Sequence, residues 1–489
     1  MVPAPAPYCR SSASAFVRKR LKNRDKSSSI CPNVLAGDHC RTLEPNKFVG
    51  HDVFSQEAIT RTGNNPAMRR IARYFPEDGE LKSPVRAKAG LRLTLCLGAG
   101  LACAAGTAAH YPIVGTGQDL CFSERGPIID CPKADQPLWG QDAQHPGHRP
   151  HYRDNGDGTV SDLVTGLVWA KSPSAPLAFA ETEAYARASR LGGHDDWRVP
   201  NIRELYSLID YRGGYSGDPA TSRPYIDATV FDFAYASGAG LGDAAHGRRP
   251  IDVQEWSATR YVGRTMGRDE TVFGVNFADG RIKGYPMMDP ANRMRTPNRL
   301  AIRLVRGAPY GQNDFETRRG SVIDRATRLE WQRRDDGRAR SWNEALAYCS
   351  ALSRDGHSEW RLPTAKELHS IVDYTRIPAI HPSFEISDPR IYLWSSTTHL
   401  EGPPPATEPN RAFSQAGELA VYAAIGPAMG FMEIPPRSGQ RRWVDVHGAG
   451  AMRSDPKTAI PGAFPNGFGP QGDEIRGHNH VLCVRDWKP

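Results

Sequence analysis

Arginine is concentrated in one stretch of this chain: residues 318–340 hold eight Arg and four acidic residues. A guanidinium is a planar fork of donors that fits sulfate or carboxylate oxygens two at a time. Arg318, Arg319, Arg333 and Arg334 are therefore the candidate ligand-binding residues. The plainer reading of the same run is a solvated face on a strand and helix start. Other clusters invite metal or catalytic chemistry and fall short of it. A calcium loop wants oxygens at its first, third and fifth positions, and the segment starting at Asp154 puts Gly156 third, which suits a Gly-rich hairpin turn better. His447, His478 and His480 lack the spacing and ligand count of a metal site. Ser454 and Lys457 match a Ser-x-x-Lys pattern without the companion motifs of an acyl-transfer enzyme. No nucleophile elbow, zinc-protease motif or phosphate loop occurs. The expectation is a protein that is not an enzyme and calls for no cofactor and no metal.

Charge narrows the partners. The chain carries a net +8, but residues 1–109 hold 17 Lys/Arg against 8 Asp/Glu, while residues 110–489 hold 45 against 46. The region after residue 109 thus has no field that would draw nucleic acid. Arg86, Lys88 and Arg92, an apolar run from Leu91 to Ala105, and Thr107-Ala108-Ala109 make the three parts of a secretory signal. Residues 85–109 are read as a signal peptide, 1–84 as a disordered or mis-assigned leader, and the mature chain as starting near His110. An exported location follows: periplasmic, outer-surface or secreted, with membrane contact only through an uncleaved signal segment.

Two stretches of the exported part repeat one another. Asp196–Tyr211 and Glu359–Tyr374 agree at eight of 16 positions. Residues 160–169 face 322–331 upstream, 255–259 face 393–397 downstream, and 302–306 face 481–485 at the ends. Two domains, 151–307 and 313–489, therefore follow an N-terminal extension, 110–150, with Gly307–Gln312 joining them. In each copy a short strand and turn lead to Trp169 or Trp331, followed by an amphipathic helix. Ser341 with Glu344 forms a capping box there, and copy one keeps half of it in Glu181. A second helix follows Pro200 or Pro363, capped by Asn201 with Glu204 or Thr364 with Glu367. Helices early and strands late give an α+β class. Trp197 and Trp360 open this second motif and read as core anchors rather than sugar platforms. Cys121, Cys131, Cys349 and Cys483 are an even set in an oxidising compartment, which suggests two disulfides. Cys349 on the first helix and Cys483 near the end have Ala186 and Leu304 as counterparts, so both members are absent together from copy one. That is expected of one bond, 349–483, and Cys121 is expected to bond Cys131.

The segments GTGQDLCF (116–123), GQDAQ (140–144), DNGDGTVSD (154–162) and TGLVW (165–169), with the paired [DE]WR[VL]P and WS[AS][ST] motifs, resemble the Lcl C-terminal domain family of bacteria. The resemblance implies two tandem C-type lectin-like domains, in which a disulfide from first helix to last strand is a recurrent brace. It also implies a setting like the ligand-binding tip of a surface adhesin that recognises sulfated polysaccharides. Glu408-Pro409-Asn410 spells the tripeptide with which mannose-type lectins hold calcium and sugar. Its usual companion is replaced by Trp443-Val444-Asp445, whose middle residue has no side-chain oxygen. The expected function is an exported, non-catalytic binding protein for a polysaccharide or other surface macromolecule. The alternatives are an enzyme on the related formylglycine-generating fold, which would need a reactive cysteine pair, and a structural cell-envelope protein.

Overall fold

Each copy of the repeat opens with an antiparallel meander that its own last strand completes. In copy one the strands Tyr152–Asp154, Thr159–Asp162 and Val168–Ala170 are joined by Val305–Arg306. In copy two Phe315–Thr317, Ser321–Asp324 and Leu329–Gln332 are joined by Val484–Asp486. Trp169 and Trp331, on the third strand of each, are fully buried. The first hairpin of copy one turns through Gly156 and Gly158, both at positive φ, where a side chain would be strained. The Asp154–Asp162 segment is thus a hairpin: Asp154 bonds the Gly156 N–H and Lys171, and Asp157 bonds Thr159.

The computed structural model describes residues 110–236, 249–289, 295–401, 417–435 and 438–488. All of them fall in one unit, Ala99–Pro489. The leader, the signal segment and Glu408-Pro409-Asn410 lie outside the described residues. Four α-helices are described: α1 (Phe179–Ala188), α2 (Ile202–Ser207), α3 (Trp342–Ser350) and α4 (Ala365–Ser370). Their starts follow the caps read from the sequence. Ser341, Asn201 and Thr364 each accept from the N–H of the glutamate three residues on, and that glutamate accepts from the cap's own N–H. At α1 the Glu181 carboxylate takes the Ala178 N–H, while Ala178 has no side-chain oxygen to return the bond.

The two copies share far more than a linker. Three strands of copy one (Gln254–Arg260, Thr271–Asn276, Arg281–Pro286) and three of copy two (Tyr392–His399, Leu419–Ala424, Met452–Pro456) form one six-stranded sheet, joined at the Met452–Ile282 bridge. A single apolar cluster draws on both copies, including Leu205, Ile209 and Phe273 from one and Leu368, Ile371 and Val421 from the other. Burying each such side chain is worth about 1.5–3 kcal/mol, so neither copy's core is complete alone. Helices α2 and α4 meet across this seam and cap one another: Arg203 donates to the Val372 carbonyl at 2.7 Å, and Lys366 to the Ser207 carbonyl at 2.8 Å. Cations at helix C-termini satisfy the free carbonyls there.

Both expected disulfides are formed. Cys349 on α3 bonds Cys483, just before the last strand, with Cα atoms 5.5 Å apart; Cys121 bonds Cys131 at 5.1 Å. Ala186 and Leu304 fill the equivalent place in copy one by apolar packing. The N-terminal extension, adjacent to copy one in sequence, binds copy two extensively. Gln118 exchanges two 2.9 Å hydrogen bonds with the Thr398 backbone, the Gly115 carbonyl accepts from Lys366, and Asp142 bonds both Thr116 and Thr397. The architecture is α+β, built mostly of small antiparallel sheets with few, short helices.

Candidate functional site

The Trp-Arg-x-Pro motif sets one ion pair in each copy. The tryptophan anchors it: Trp197 and Trp360 are each only 3% exposed. The next residue, arginine, reaches forward to the glutamate that caps the following helix. In copy two, Arg361 donates to both oxygens of Glu367 at 2.6 and 2.7 Å and to Asp486 at 3.2 Å. Burial opposes the ionisation of Glu367, but Arg361 and the Thr364 N–H together hold its carboxyl below the ordinary range. In copy one Arg198 binds Glu204 with the same two distances and the Gly307 carbonyl at 3.3 Å.

One bond separates the two. The linker of copy one folds over its ion pair, and the Tyr310 N–H donates to Glu204 Oε1 at 3.2 Å. That leaves the Glu204 side chain with no exposure. Among the described residues nothing covers the pair of copy two in this way, and Glu367 Oε1 receives Arg361 alone. A cleft of about 540 Å³ lies there instead, within the roughly 300–1,000 Å³ range of ligand pockets. Its walls are the N-terminal extension from His110 to Gly115 and from Gln144 to His148, the turn Thr327–Leu329, the ion pair, and Asp486 with Trp487.

Two polar side chains on these walls lack a hydrogen-bond partner among the described residues. His145 Nε2 is buried without a hydrogen-bond partner. Burial, then Arg361, lowers the His145 pKa to about 4, so its ring is neutral at pH 7. Arg328 makes no hydrogen bond or ion pair through its side chain among the described residues, and its carbonyl takes the Trp487 N–H at 2.9 Å. Its backbone has φ 58°, a conformation that costs a branched or long residue free energy and that clusters at ligand sites. Trp487 is partly exposed. Glu367 and Asp486 balance the charges of Arg361 and Arg328 on the cleft walls.

The four arginines singled out in the sequence gather nearby but outside this cleft. Arg318 and Arg319 occupy an exposed hairpin turn, with Arg318 3.3 Å from Glu316. Arg333 and Arg334 follow the third strand and both grip Glu385, Arg333 at 2.7 Å. The Arg333 N–H to Gly320 and its guanidinium to the Arg318 carbonyl bring the two pairs together. Arg328, from the same run, is the one that lines the cleft. Sequence reading passed over Arg328, Trp487, Asp486 and His145. The repeat register held the signal for three of them: Arg328, Asp486 and Trp487 stand where copy one has Gly166, Gly307 and Ala308.

The remaining sequence candidates are dispersed. His447 pairs with Asp473 at 2.7 Å and His480 with Asp335 at 2.9 Å. Among the described residues no three His, Cys, Asp or Glu side chains are grouped to hold a metal. Ser454 accepts from Arg281, while the Lys457 ammonium bonds Thr398 and lies 4.1 Å from the Trp342 ring centroid. Asp445 is occupied by Tyr261 and the Gly448 N–H, and Trp443, 37% exposed, sits on a hairpin of Met429–Glu433 and Arg441–Asp445. No described helix is long and apolar enough to cross a membrane.

Comparison with known proteins is consistent with this repeat. No curated protein and no solved structure matches the chain. The family described as the Lcl C-terminal domain matches it twice, at residues 158–306 and 320–426. The two segments span just over half of the chain, one in each copy of the repeat, and this protein belongs to the Lcl C-terminal domain family.

Proposed function

We propose that this chain is an exported, non-catalytic binding protein with two C-type lectin-like copies, and that it takes a saccharide of a surface glycan in the cleft of copy two. One observation carries the reading: the ion pair that copy one covers with its linker is open in copy two and ringed by unpaired polar groups and an indole. Carbohydrate recognition uses that combination, because a sugar has an apolar ring face and many hydroxyls. An indole offers a flat apolar surface, and a guanidinium without a partner and an exposed carboxylate can each bond a hydroxyl. Two disulfides and the secretory pattern before His110 support the exported location.

A glycan array probed with the full-length chain tests the proposal, with Trp487→Ala in parallel. Binding to a restricted set of glycans, lost in the variant, is the expected result. Binding that ignores Trp487 would remove the cleft from the account.

A further inference from the structure

Copy one contains the cleft of copy two in its filled state, and the filling is chemically specific. The group on Glu204 Oε1 is a secondary amide: the bond between Pro309 and Tyr310, with its N–H donated at 3.2 Å. The arginine–glutamate and cap bonds recur in copy two at the same distances, and the third arginine bond, to the Gly307 carbonyl in copy one, goes to the Asp486 carboxylate in copy two. Glu367 Oε1 is therefore an acceptor already aimed at an amide N–H and lacking one. Position 489 corresponds to Tyr310 and is proline, which has no N–H.

Three further differences surround the vacant acceptor. Gly166, Gly307 and Ala308 of copy one are Arg328, Asp486 and Trp487 in copy two. Gly166 and Arg328 share the left-handed backbone, at φ 75° and 58°. Glycine adopts it freely and arginine does not, so copy two holds a strained residue where an unstrained one would fold equally well. What the strain provides is an unpaired guanidinium on the cleft wall. The added indole gives a flat apolar face, and Asp486 gives a carboxylate 76% exposed.

Resting on the saccharide reading above, we infer that the ligand of this cleft carries an N-acetylated amino sugar. Its acetamido N–H donates to Glu367 Oε1 as the Tyr310 amide does to Glu204. The ring lies on Trp487, and its hydroxyls meet Asp486 and Arg328. A bare peptide would satisfy Glu367 equally well, but it has no ring of hydroxyls for the free polar groups, and it would not need the indole.

The test is a pair of titrations of the full-length chain, followed by tryptophan fluorescence and calorimetry. Chitotriose and cellotriose differ in the acetamido group that replaces a hydroxyl on each ring. A hydrogen bond to a charged acceptor predicts that chitotriose binds at least about tenfold more tightly. Trp487→Ala and Arg328→Gly should each weaken chitotriose binding. The Arg328→Gly variant restores the residue of copy one and should not unfold the chain, so its loss of binding would report on the ligand alone. Equal binding of the two sugars, or chitotriose binding indifferent to both variants, overturns the amide assignment while leaving a saccharide site. Failure of both sugars alongside binding of the acetylated, amidated peptide Gly-Ala-Pro-Tyr-Gly overturns the saccharide reading as well.

Discussion

The same ion pair occurs twice in this molecule, once sealed and once open. Around Arg198 and Glu204 the chain continues directly into the linker, whose Tyr310 N–H and Gly307 carbonyl complete the hydrogen bonding. Around Arg361 and Glu367, Asp486 and Trp487 form one wall of a cleft instead. Glu204 has no exposure and Glu367 is 12% exposed. The difference teaches that the motif itself is structural: it ties the last strand to the second helix in both copies. Whether it also meets a ligand depends on what the following residues do. Beside the open one stand Arg328, Asp486 and Trp487, where copy one has Gly166, Gly307 and Ala308.

The largest expected effect concerns the brace that only copy two has. Replacing Cys349 and Cys483 together by alanine removes a cross-link across 134 residues. In the chain-entropy model this costs roughly 4–5 kcal/mol. Thermal unfolding of the full chain should show a large drop that reducing agent reproduces in the parent protein. An unchanged melting temperature would mean that copy two, like copy one with Ala186 and Leu304, is held by packing alone.

The tryptophans come next. Trp360→Ala and Trp197→Ala each empty a buried site and should each cost about 3–5 kcal/mol. Because one apolar cluster joins the copies, either substitution should lower a single cooperative transition. Two separate transitions, with only one of them shifted, would break the picture of a shared core. So would loss of glycan binding at unchanged stability, which would move the site onto the motif tryptophan.

A pH effect singles out the extension on copy two. Burial raises the Asp142 carboxyl from 3.8 to about 7, against the opposing bonds from Thr397 and Thr116; Glu367 adds to the rise and Lys366 reduces it. A folded pKa above the unfolded one favours the protonated form in the native state. The associated stability is fully present below about pH 3.8 and is lost as pH rises through about 7. Comparing denaturation midpoints of the parent and Asp142→Asn between pH 4 and 8 isolates it: the variant should show the shallower decline. Parallel curves would mean that Asp142 is ionised throughout.

The smallest effect carries the opposite sign. Arg328→Gly relieves a left-handed arginine and should stabilise the chain by about 1 kcal/mol, or a rise in Tm of roughly 2–4 °C, while weakening the ligand. Destabilisation would show that the guanidinium holds the fold together.

Much of this was written locally in the sequence. The repeat, the caps at Asn201, Ser341 and Thr364, both disulfides and the burial of Trp197 and Trp360 depend on short spacing or on comparing one copy with the other. The shared sheet was not legible, because it rests on one bridge between Met452 and Ile282, 170 positions apart in the chain. The seat of the N-terminal extension on copy two depends on Gln118, Asp142 and Lys366 finding partners far along the chain. Composition drew attention to arginine, yet Arg333 and Arg334 are engaged by Glu385, and only position makes Arg328 different.

Hydrogen–deuterium exchange of the full-length chain with and without a bound glycan tests the central claim most directly, since it reads both copies in one experiment. Protection should appear at 327–329, 361–367 and 484–487, with none at the equivalent 165–167, 198–204 and 305–308. Protection confined to 318–320 and 333–334, or equal in the two copies, would contradict the assignment of binding to the open cleft.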